Sequence, residues 1–132
     1  MRERKKALER LLAVKAQLRE LEQARLVEIE RHQAKAQDDR DAMLGFLDGV
    51  GEKDPLLLSL ACRRVVGAAR GAAALEAKAN AQKEIVLRRS VQKQGVEKLL
   101  REAAGALERD EEKRRLLEIG ERQASAPSTS LP

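Results

Sequence analysis

A chain of 132 residues with one Phe and neither Trp nor Tyr has room for one domain but lacks the bulky side chains that fill a globular core, so a compact enzyme is not expected. Charged residues make up 37% of it, and Ala, Leu, Glu, Lys, Arg and Gln dominate, the usage of long solvated helices that share a narrow apolar seam. The formal charge of +5 permits acidic partners without showing a single-sign face, and no specific nucleic-acid binding is expected from it.

The expected fold is all-α, a long two-helix antiparallel coiled-coil hairpin over residues 1–122. From Met1 to Leu44 there is neither Gly nor Pro, and a first helix is expected over about 2–48. Gly45, Gly49, Gly51, Asp54 and Pro55 then cluster, which places a turn at about 49–55. Asp54 is suited to cap the next helix with Pro55 at its first position, where a missing N–H costs nothing. A second helix is expected over about 56–122, and 123–132, rich in Ser, Pro and Ala, reads as a disordered tail.

The second helix carries a 3-4 repeat from Leu58 to Glu121, apolar except at Gln82, Arg89, Lys93, Asp110, Arg114 and Glu121. An isolated amphipathic helix drifts by roughly 20° per heptad, so a repeat held in phase this long implies a left-handed coiled coil. In the first helix the apolar residues suggest the series Arg4, Ala7, Leu11, Val14, Leu18, Leu21, Arg25, Ile29, Gln33, Ala36, Arg40, Met43, Leu47. Its step from Leu21 through Arg25 to Ile29 is a stutter that should locally unwind the supercoil. Charged residues in these series weaken packing but specify register or partner, or else snorkel out of the seam.

If Leu47 sits opposite Leu58, partner numbers sum to about 105, which pairs Ile29 with Leu75 and Leu18 with Val86 or Leu87. The second helix would then overhang the first from about Glu102, by about 30 Å at 1.5 Å per residue. That overhang carries Leu107, Leu116, Leu117 and Ile119, apolar residues that need cover from another chain. Small residues from Val65 to Ala74 suggest either close approach of the two helices beside the turn or a slot or hinge. Leu56 to Leu60, opposite Leu44, Phe46 and Leu47, either close the hairpin end or form a sticky tip.

Catalytic chemistry is not apparent, because there is no phosphate-binding glycine loop, no His-Glu metal pair and no nucleophile beside a base. No cofactor and no metal is expected. His32, the only histidine, lies in a polar run and reads as solvated, and Cys62, the only cysteine, reads as a small buried hydrophobe. No apolar stretch is long enough to span a bilayer, and the start is charged, so the expected location is cytoplasmic, or peripheral at the inner membrane.

In its last third, at Val86–Leu100 with Lys98-Leu99-Leu100 and then at Arg109–Ile119 with Leu117-Glu118, the chain resembles the FliJ/YscO-like stalk proteins of type III (flagellar) export. The likeness covers residues 83–122 by motif and nearly the whole chain by architecture, with Gly95, Gly105 and Gly120 as departures. It implies an adaptor similar to the γ subunit of rotary ATPases, with its paired terminal segments in the ring of a hexameric export ATPase. Its side would contact the export gate or substrate chaperones. By that resemblance the partner-binding residues are Arg4, Leu11, Leu18, Leu99, Leu107, Arg114 and Leu117. The alternative class is a generic coiled-coil scaffold or self-associating structural protein, which would form a homodimer.

Overall fold

The computed structural model describes residues 2–50 and 54–125, and every described residue except Asp54 lies in one of two helices. α1 is Arg2–Val50 and α2 is Pro55–Ser125. The fold is an all-α helical hairpin. Asp54 caps α2 as its composition suggests: its Oδ1 accepts the Leu56 N–H at 3.0 Å, its carbonyl accepts the Leu58 N–H at 3.0 Å, and Pro55 occupies the first helical position. Arg122 in the last turn of α2 complements that helix's dipole, whereas in the first turn of α1 Glu3 is outnumbered by Arg2, Arg4 and Lys5.

Two boundaries differ from expectation. Gly45 and Gly49 lie inside α1, which runs to Val50, because an isolated Gly weakens a helix by about 1 kcal/mol without ending it. Residues 123–125 are helical, so any tail starts later; 126–132 and turn residues 51–53 lie outside the described residues.

Contacts between the helices fall into two compact units, Ala16–Val91 and the described part of Met1–Lys15 with Gln92–Pro132. In both, α2 shows the expected repeat without an error of phase: every position of the 3-4 series from Leu58 to Asp110 is buried or half-buried, while Arg114, Leu117 and Glu121 are exposed. The seam is thin. Among the described residues only Leu26, Ala79 and Val96 are buried apolar side chains, at 7%, 2% and 7% exposure.

The first half of α1 requires a correction. The covered positions are Lys5, Leu8, Leu12, Lys15, Arg19, Glu22, Leu26 and Ile29, one step beyond the apolar series proposed above, and they continue through Gln33, Ala36, Met43 and Leu47. The repeat therefore keeps 3-4 phase with no stutter. Leu11, Val14 and Leu21 are 42%, 50% and 49% exposed, and Arg25 and Arg40 are also outside the seam. The reason is continuity: a helix whose phase is set by Ile29 to Leu47 reaches Leu26, Glu22 and Arg19 without unwinding, and facing polar groups satisfy those that are charged. Arg19 Nε donates to Ser90 Oγ at 2.9 Å, and Lys15 Nζ donates to Gln92 Oε1 at 3.3 Å.

The small-residue stretch of α2 is also explained differently. A methyl group added at Gly67 or Gly71 would meet nothing within 4 Å, so these glycines do not serve a close helix approach. Gly67→Ala and Gly71→Ala should each stabilise the chain by about 0.8–1 kcal/mol through helix propensity alone, measurable as a rise in urea midpoint. A fall in midpoint would mean that the open space is occupied in solution.

Candidate docking surfaces

The most enclosed polar group lies in the unit Ala16–Val91. Glu22 and Gln82 are 6% and 7% exposed at facing seam positions. Gln82 Nε2 donates to Glu22 Oε2 at 2.6 Å and to the Glu22 carbonyl at 2.9 Å, while Arg25 Nη1 donates to Glu22 Oε1 at 2.9 Å. The Gln82 hydrogen bond holds the Glu22 carboxyl below its usual range; burial opposes this, and the Arg25 and Arg89 charges assist. No buried side-chain nitrogen or oxygen among the described residues lacks a partner. A satisfied polar layer in an apolar seam fixes register, since a slip would strand the carboxylate. Gln82 was visible as a polar break in the α2 repeat. Glu22 was not, because nothing in its neighbourhood distinguishes a seam Glu from a solvated one.

In the other unit, Arg2 reaches Glu111 at 3.7 Å beside the half-buried Leu107 and Asp110. Helix contact thus extends well beyond the Glu102 limit, and Leu107 is half-covered, contrary to the expectation that it stands alone. A register sum near 105 is too low at this end, as the Lys15–Gln92 contact also shows. All described residues from Glu112 onward are exposed, including Leu116, Leu117 and Ile119 at 62%, 67% and 50%. The unpartnered segment is therefore 112–125, about 20 Å of helix at roughly 1.5 Å per residue.

Of the partner-binding residues implied by the resemblance, Arg4, Leu11, Leu99, Arg114 and Leu117 are exposed and Leu18 and Leu107 are half-buried. Arg4, Leu11 and Leu18 form one stripe at seven-residue spacing beside the α1 seam, and Leu99 holds the equivalent flank of α2 beside Leu100. Arg114 and Leu117 belong to the unpartnered segment. The set is distributed along flanks and an end, not gathered in one cleft.

A second surface lies in the unit Ala16–Val91, where Ala42, Met43, Phe46, Leu57, Leu60 and Ala61, with Asp39 and Arg64, line a groove of about 500 Å³. Phe46, the only aromatic residue, is 53% exposed, and Leu60 is 51% exposed, so these residues do not close the hairpin end. Cys62 is exposed, not buried as expected, because its position falls beside Ala61 and outside the seam. His32 is solvated, with Nε2 at 3.5 Å from Glu28 Oε1 and 61% of its side chain exposed.

Among the described residues no group of three or more His, Cys, Asp or Glu could hold a metal ion, and no helix is long and apolar enough to cross a membrane. No protein family, curated protein or solved structure was found to match the chain.

Proposed function

We propose that the chain is a non-catalytic helical adaptor that docks other proteins on apolar surfaces its own two helices leave uncovered. The partners proposed are those of a type III (flagellar) export stalk: the export ATPase ring, and the export gate or substrate chaperones, in the cytoplasm or at the inner membrane. The observation that carries the docking reading is segment 112–125. There Leu116, Leu117 and Ile119 stand exposed on α2, beyond the Arg2–Glu111 ion pair. Apolar burial contributes about 25 cal/mol per Å² only where a surface is covered, and no described residue covers this segment, so its cover is assigned to another chain. The choice of partner rests on the resemblance of residues 83–122.

Deleting residues 112–132 removes no residue of the seam and should leave helicity and cooperative melting nearly unchanged while abolishing capture by an export ATPase. Circular dichroism and pull-down of both chains measure the two halves of this statement. Equal capture by the truncated chain would remove the segment from the docking site.

Affinity for DNA should be weak and collapse between about 50 and 200 mM salt, because scattered Lys and Arg meet phosphates with no base-reading element. Tight, salt-resistant binding measured by fluorescence anisotropy would contradict the adaptor reading. The scaffold alternative has its own support in the groove at Phe46.

A further inference from the structure

We propose that the Phe46–Leu60 groove is a self-association surface: the same groove of a second copy packs on it about a two-fold axis parallel to the helices, giving a local four-helix bundle. The heptad phase supports this first. With Met43, Leu47, Leu58 and Ala61 in the seam, Ala42, Phe46, Leu57 and Leu60 fall on flanking positions that a solitary two-stranded coil gives to charged residues. They instead form a second apolar stripe on both helices, and the two stripes meet in one groove.

The charges at the groove select the occupant. Because the helices are antiparallel, Asp39 and Arg64 both lie at the end of the groove away from the turn, and Phe46 and Leu57 lie at the turn end. No ion pair among the described residues engages Asp39 or Arg64. A dyad parallel to the helices sets α1 of one copy against α2 of the other at equal height. Asp39 then meets Arg64 of the second copy, Arg64 meets its Asp39, and Phe46 meets Leu57 and Leu60, each contact being made twice. The antiparallel arrangement would press both charges onto Phe46 and Leu57 and desolvate them unpaired. A wholly apolar partner helix would do the same. The groove is short, so the dimer is weak, with a dissociation constant of about micromolar order.

Analytical ultracentrifugation of the full chain should show the 14.7 kDa species passing to a dimer as concentration rises through that range. Asp39→Arg alone, or Arg64→Asp alone, should weaken the dimer about tenfold or more by opposing like charges, and the combined swap should restore it. Phe46→Asp should give a monomer of unchanged helicity, since Phe46 is 53% exposed. A wild-type chain that stays monomeric, single variants that dimerise like the wild type, or a double swap that fails to recover would each overturn the proposal. A dimer lost on deleting 112–132 but unmoved by Phe46→Asp would also overturn it, placing self-association on the docking segment.

Discussion

Leu26→Asp is expected to unfold the hairpin, whereas Leu21→Asp should leave it folded. Both are Leu residues of α1 within a turn and a half of each other, and by composition Leu21 is the better seam candidate because its series is apolar. Burial decides otherwise: Leu26 is 7% exposed and Leu21 is 49% exposed. Asp at position 26 would put an unpaired carboxylate into a seam with few other buried apolar side chains, at a cost of about 3 kcal/mol or more. At position 21 it faces water, and the change should stay within about 1 kcal/mol, mostly helix propensity. Thermal melts followed by circular dichroism measure both. The opposite order would restore the apolar series and its stutter.

The second large effect concerns the polar layer. Gln82→Ala should lower the melting temperature clearly, because the Glu22 carboxylate keeps its enclosure and loses its shortest hydrogen bond, 2.6 Å to Gln82 Nε2. Replacing both residues together, Glu22→Leu with Gln82→Leu, should recover stability or exceed it, since a packed apolar pair leaves nothing unsatisfied. It should also admit slipped registers, visible as several species in disulfide trapping between cysteines introduced on the two helices. The same layer sets an acid dependence. The folded-state pKa of Glu22 lies below its usual value of 4.5, so its contribution is fully present above that pH and is lost as pH falls through the folded-state value. Glu22→Gln should flatten this part of the stability profile. An unchanged profile in urea unfolding between pH 2 and 6 would mean that other carboxylates carry it.

Both predictions turn on which stripe of α1 faces α2, and that is only partly legible in the sequence. The α2 seam from Leu58 to Asp110 was legible because its Leu, Val and Ala positions recur in one phase, and the coil tolerates the polar breaks at Gln82, Arg89 and Lys93. The Asp54-Pro55 start was legible because capping is local chemistry. The first half of α1 was not, since two adjacent stripes compete there and the more apolar one, with Leu11, Val14 and Leu21, faces water. Selecting the polar stripe needs knowledge of Ser90, Gln82 and Gln92 on the facing helix, which is long-range information. The length of the uncovered segment was overestimated for a related reason. The Arg2–Glu111 contact depends on a long side chain reaching along the partner helix, and a rigid register count omits that reach. Of the uncovered apolar surfaces, that of Leu116, Leu117 and Ile119 is recognisable from the sequence as apolar residues beyond the expected cross-helix pairs. At Phe46 and Leu60 the sequence left closure and exposure equally open.

Titration calorimetry of the full chain with a purified export ATPase, beside a Leu116→Ser, Leu117→Ser, Ile119→Ser variant, bears most directly on the adaptor reading. The wild type should bind with a negative heat-capacity change, the mark of apolar surface leaving water, and the variant should bind at least tenfold more weakly while melting at the same temperature. No binding by the wild type, or equal binding by both, would contradict it.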